Sequence, residues 1–233
     1  MLGPFDYAIW VIGSILEVAV VLCALHRRSF LRYLSLNLYM LATVAVNCVT
    51  YLSLEKYGVR SREYHFAYYY TDSLLTILMF FVIIQLYQQV LAQMNASGYV
   101  RRVATVVLAA TSLFSYLVVY RHRANLTDQF VIAFGQNLYF VGVVLTYFLW
   151  AAIFKMGETR RRLVHFVLAL GIYFSGIAGA YALRHLFPNL QPLVLHWIPP
   201  LAATWLPLAW AYTFFRIPEE ERFAMGQLAP KTP

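Results

Sequence analysis

Glu17 sits near the middle of a long apolar stretch, Phe5 to Leu25. A carboxylate there is expensive in lipid, so such residues face the protein interior and mark function. Asp6, Trp10, Gly13, Ser14 and Glu17 fall on one face of a helix. No lysine or arginine lies deep in any apolar stretch to pair with Glu17. It is therefore expected to be neutral, or hydrogen-bonded to a polar side chain, with Asn47 the best-placed partner. Two roles follow: a structural carboxyl knitting two helices together, or a proton- or ligand-handling group. The second acid, Asp72, directly follows the run Tyr68-Tyr69-Tyr70. Gln136, Asn137 and His196 fall at a similar depth in their own apolar stretches, and with Asp72 they are expected to line a pocket open to the outside. An acid in an aromatic wall suits a cationic or hydrogen-bonding ligand. The alternatives are an interfacial aspartate solvated by headgroups and a histidine satisfied within the bundle.

Other chemistries lack their residues. The histidines are His26, His65, His122, His165, His185 and His196, and no two stand three or four apart, so a helical two-histidine metal site is excluded. That also excludes the seven-helix zinc hydrolases of the progestin and adiponectin receptor class. Lys56, Lys155 and Lys231 all lie outside the depth of the last apolar stretch, which argues against a retinal Schiff base. There is no phosphate-binding glycine loop and no nucleophile elbow. Neither a metal, a cofactor nor an enzymatic activity is expected.

The elements that must position the two acids are set by hydrophobicity. The chain has 233 residues, 61% hydrophobic and 12% charged, against about 25% charged in soluble domains. A single soluble core of this length could not bury so much apolar side chain. The charges fall in short runs between seven apolar stretches: Phe5 to Leu25, Leu34 to Leu54, Phe66 to Leu91, Val103 to Tyr120, Gln129 to Phe154, Val164 to Leu183 and Leu193 to Phe215. Each is long enough to cross a bilayer at about 20 residues per span. They must be helical, because unpaired backbone groups cannot face lipid and no barrel-type alternation is present. The expected fold is all-α: an integral membrane bundle of seven transmembrane helices over residues 1–216, with a short cytoplasmic tail over 217–233.

Orientation follows from lysine and arginine. The odd-numbered loops and the tail carry twelve, including Arg27, Arg28, Arg101, Arg102 and Arg160 to Arg162, against six in the even-numbered loops. The N-terminus is therefore expected outside and the C-terminus inside. The same topology signal accounts for the net charge of +8, so no nucleic-acid partner is expected. The first stretch lacks a basic n-region and a cleavage site, and is expected to be retained. Cys23 and Cys48 fall toward opposite faces and are expected to be free thiols.

Four further patterns concern packing, partners and the tail. Gly171, Ser175 and Gly179 form a row of small residues that would let a neighbouring helix approach closely, within the chain or in a homodimer. Pro199, Pro200 and Pro207 would bend the last span. Gln85, Gln88 and Gln89 form a polar patch at the inner end of the third span, expected to exit into the cytoplasmic interface or to dock a partner. Pro218 followed by acids favours a short surface helix in the tail.

The sequence Tyr64-His65-Phe66-Ala67-Tyr68-Tyr69-Tyr70, with Leu74-Leu75 and Phe81-Val82-Ile83-Ile84-Gln85-Leu86-Tyr87 behind it, resembles a motif of uncharacterised seven-helix bacterial membrane proteins of acidobacterial type. Phe5-Asp6-Tyr7 with Trp10, and the closing Arg27-Arg28, are similar too. The resemblance implies a bacterial inner membrane and carries no activity. Its members often have an acid where this chain has Gln85, which argues against an essential carboxylate there. The functional expectation is a stand-alone sensor or receptor-like protein. It would bind a small or lipid-like ligand within the bundle and signal through a separate membrane or cytoplasmic protein. The rivals are a proton-coupled transporter using Glu17 and Asp72, and a non-catalytic accessory subunit of a membrane complex.

Overall fold

The computed structural model describes residues 4–58, 61–94, 97–120, 126–157, 160–187 and 191–219, with the side chains of 4–6, 93–94, 97, 118–119, 126–129, 185 and 191–196 outside that description. Among the described residues are seven α-helices: α1 (Pro4–His26), α2 (Leu34–Tyr57), α3 (Arg62–Val90), α4 (Ser97–Tyr120), α5 (Leu126–Met156), α6 (Arg161–Leu186) and α7 (Gln191–Arg216). A single 3-10 turn, Leu91–Met94, follows α3. Each apolar stretch of the sequence is one helix. The helices overrun their apolar stretches by a few residues because local signals, not hydrophobicity, end them. Ser61 caps α3, its Oγ accepting from the Tyr64 N–H at 3.1 Å. Gly58, at φ 78°, closes α2. At the end of α1 the left-handed position is filled by Arg28, at φ 53°. There the Ser29 N–H donates to the Ala24 carbonyl at 2.9 Å and the Arg28 N–H to that of Leu25 at 3.0 Å, the paired bonds of a Schellman turn.

The helix contacts form a closed ring in the order α1, α2, α3, α5, α6, α7 and back to α1. Helix α4 stands outside this ring, packed on α5 and more lightly on α3. Among the described residues, six helices, α1 to α6, are long and apolar enough to cross a membrane.

The ring is packed at one end and hollow at the other. The packed end is where α1, α3, α5 and α7 finish and α2 and α6 begin. Its core joins Val20, Val21 and Ala24 to Leu36, Met40, Ile83 and Leu86, and to Leu149, Phe166, Leu170 and Phe214. Tyr33, Phe166 and Phe214 meet there edge-on or tilted, with ring centroids 4.9 to 5.7 Å apart. Large apolar side chains cover the outside of the bundle over its whole length, among them Ile15, Leu52, Phe114, Phe148, Phe154 and Leu201, all more than half exposed.

Candidate functional site

The hollow end holds a cavity of about 470 Å³ bordered by α1, α2, α3, α6 and α7. Both acids line it. Glu17 projects from α1 and is 7% exposed. Asn47 of α2 donates from Nδ2 to Glu17 Oε2 at 3.0 Å and to Ser14 Oγ at 3.2 Å. The expected partner of Glu17 is thus its partner in the structure, and one amide ties α2 to two successive turns of α1. Asp72, on α3, is partly accessible from the cavity. Tyr139 of α5 donates its hydroxyl to Asp72 Oδ1 at 3.4 Å. Tyr139 shares its core with two further buried phenols, Tyr173, whose ring centroid lies 6.4 Å from its own, and Tyr39. Tyr39 of α2 and Tyr173 of α6 also line the cavity.

The walls are aromatic. Trp10, Tyr39, Tyr64, Tyr68 and Tyr173 line the cavity, with Tyr64 stacked on Tyr68 at 6.4 Å and Trp10 tilted against Tyr51 at 5.8 Å. The α7 side supplies Pro200, Ala203 and Thr204. Pro207 has no N–H to give the Ala203 carbonyl its usual helical bond. Glu17 and Asp72 are the charged residues of the lining; it contains no lysine, arginine or histidine among the described residues.

The remaining expected site residues lie elsewhere. Asn137 faces α4, where its Nδ2 donates to Ser115 Oγ at 2.9 Å. Gln136 is not in the lining. The expectation that Gln136 and Asn137 join Asp72 is therefore corrected: depth was right, rotation about the α5 axis was not. The contribution of α5 to Asp72 is Tyr139 instead. The side chain of His196 lies outside the described residues.

Within the chain, the small-residue row of α6 does not act as one seam. A Cβ on Gly171 would touch Thr146 Cγ2 of α5 at 3.2 Å, Ser175 is exposed, and a Cβ on Gly179 would meet nothing within 4 Å. The tightest of the described glycines is Gly142 of α5, where an added Cβ would run into the Phe174 ring of α6.

At the packed end a polar clamp holds the chain termini of several helices. Arg162, only 2% exposed, donates through Nε and Nη2 to the Ile217 carbonyl at 2.9 and 2.6 Å and through Nη1 to Ser29 Oγ at 3.1 Å. Glu219 lies 3.6 Å from Arg162 and 2.5 Å from Arg32. Burial, reinforced by the Glu219 carboxylate, raises the pKa of the adjoining Tyr33 phenol, which stays uncharged. Gln85 and Gln89 belong to this clamp. Gln85 Oε1 accepts from the Ser35 N–H in the first turn of α2 at 3.0 Å, and both amides donate to the Arg32 carbonyl. They satisfy backbone groups that a helix start leaves open, rather than forming a free polar exit. The tail helix expected beyond Pro218 lies outside the described residues after Glu219. Cys23 and Cys48 are free thiols.

No protein family, no curated protein and no solved structure matches the chain. The functional reading therefore rests on the geometry of the bundle.

Proposed function

We propose that the chain is a multi-pass protein of the bacterial inner membrane. Its seven helices form a transmembrane bundle with the N-terminus outside and the C-terminus in the cytoplasm. It acts as a sensor that binds a small ligand in the hollow end and passes a change of packing to a separate protein partner. The membrane is supported by six helices of sufficient length and apolarity and by the apolar side chains that coat the bundle. Helix α7 joins them because α1 and α6 flank it on both sides. The orientation is supported by arginine: Arg27, Arg28, Arg32, Arg160, Arg161, Arg162 and Arg216 gather at the packed end, which would face the cytoplasm.

The observation that carries the ligand reading is the convergence of Glu17, Asn47 and Asp72 on one aromatic-walled cavity, from three helices. A few convergent polar groups in an apolar concavity of about this size are the usual form of a small-molecule site. A proton-coupled carrier is the second reading, favoured by the same asymmetry, since a bundle hollow on one side and packed on the other also describes one face of an alternating-access cycle.

The test uses a Cys23→Ser, Cys48→Ser background carrying Thr43→Cys, which places one thiol in the cavity lining. A water-soluble thiol reagent added to intact spheroplasts is expected to modify it from the outside. An unreactive thiol in folded protein would mean a sealed bundle, and would move the assignment to an accessory subunit. Passage of the bound compound into liposomes would favour the carrier.

A further inference from the structure

We infer that the ligand of the hollow end is a small organic cation, a quaternary or protonated amine, held by the charge of Asp72 and Glu17 against the faces of Trp10, Tyr64 and Tyr68. The inference rests on the reading of the cavity as a ligand site and adds its chemistry.

The lining decides between ligand classes. An anion would meet two carboxylates and no basic side chain among the described residues. The cost of bringing like charges together at low dielectric excludes it. A neutral acyl chain would leave Glu17, Asp72 and Asn47 facing hydrocarbon, which costs several kcal/mol per polar group by order of magnitude. A bare metal ion needs a shell of six or more oxygens or a cluster of nitrogen and sulfur ligands. Among the described residues no three His, Cys, Asp or Glu side chains gather. The acids instead come singly from different helices, each already holding one hydrogen-bond donor, Asn47 on Glu17 and Tyr139 on Asp72. Each carboxylate retains capacity for a further donor or a cation.

The aromatic wall completes the match. The faces of tyrosine and tryptophan carry negative electrostatic potential, and they attract an ammonium group most strongly where water is excluded. Tyr68 lies one helical turn before Asp72, so a cation drawn to that carboxylate lies beside the Tyr68 ring. A cavity of about 470 Å³ is larger than a bare ammonium and accommodates the alkyl groups of an organic cation. Binding would also favour the ionised form of both acids, since a nearby positive charge stabilises a carboxylate.

The experiment uses the full-length Thr43→Cys protein in the cysteine-free background, purified in detergent. Its thiol is modified with a cationic trimethylammonium-ethyl and an anionic sulfonato-ethyl methanethiosulfonate. Each rate is divided by the rate of the same reagent with a small free thiol. The normalised cation-to-anion ratio is expected to exceed unity by about tenfold or more, the scale on which a charged cleft concentrates counter-ions. Glu17→Gln and Asp72→Asn should each lower it. Choline should slow the reaction, and its neutral carbon isostere, dimethylbutanol, should not. A ratio near or below unity, or equal protection by choline and dimethylbutanol, overturns the cation assignment while leaving the cavity a ligand site. A thiol inert to both reagents overturns the ligand site itself. The choline comparison needs neither acid variant, so it decides the matter even where a variant fails to fold.

Discussion

Asn47 and Arg162 hold the two ends of the bundle by the same means, one side chain satisfying groups on different segments, and the consequences of removing them differ in scale. Asn47→Leu would leave Glu17 and Ser14 without their donor. An orphaned buried polar group costs about 1–3 kcal/mol. We expect a lower unfolding temperature for the detergent-solubilised protein, and recovery of part of the loss when Glu17→Leu is added, because the orphan is then gone. Arg162→Ala removes three donors from a buried carbonyl and hydroxyl, and opens the packed end around Phe214. Breaking a buried charged network of this kind costs about 3–5 kcal/mol. Arg32→Ala, which breaks a pair half open to solvent, should cost less than about 1 kcal/mol. Equal shifts for the two arginine variants in a thermal-unfolding series would contradict the clamp. Glu17, Asn47 and Asp72 were legible in the sequence because polar residues deep in apolar stretches are conspicuous. Arg162 was not: in a run of three arginines it reads as a topology signal, and its burial depends on Ile217 and Ser29 arriving from other parts of the chain.

At the scale of helices, the fold depends on where backbones can come close. Gly142 is the tightest such point, with the Phe174 ring lying over it. Gly142→Ala should destabilise the bundle by about 1–3 kcal/mol, as overpacking does, and Phe174→Leu should restore much of that. Gly179→Ala, in open space, should be neutral or slightly stabilising. A stability ranking of the glycine variants by heat-induced aggregation checks both; loss at Gly179 equal to that at Gly142 would restore the continuous seam on α6. The number of helices and their approximate limits could be read from hydrophobicity alone, since an apolar run that must satisfy its own backbone has few options. Rotation of each helix about its axis could not. Helix α5 is apolar nearly all round, so nothing in its sequence distinguishes the side bearing Tyr139, which faces Asp72, from the side bearing Asn137, which faces α4. The cluster of buried phenols was illegible for the same reason: Tyr39, Tyr139 and Tyr173 come from three helices, and their place in one core is a property of the assembly.

For the whole molecule, the division into a packed end and a hollow end predicts that filling the cavity is tolerated. Gly13 lines it, and a Cβ placed there meets nothing within 4 Å. Gly13→Leu should fold normally, hold or raise the unfolding temperature through improved helix propensity of up to about 1 kcal/mol, and slow modification of the Thr43→Cys thiol several-fold. A stability loss as large as that of Gly142→Ala would mean the space is already occupied by packing. The hollow end was anticipated only in part. A pocket around Asp72 followed from its aromatic neighbours, whereas its union with the Glu17 site required knowing that α1 and α3 face each other across the ring.

The contact between α1 and α7 also sets an order of events during synthesis. Helix α1 is made before α7 and cannot pack against it until α7 has been made. In the interval Glu17 depends on α2, the next helix to appear, for the Asn47 amide that satisfies it. The chain therefore supplies Glu17 with a partner from the very next helix, and joins α1 to α7 only after α2 to α6 have been made. A nascent chain halted before α7 would carry open flanks on α1 and α6.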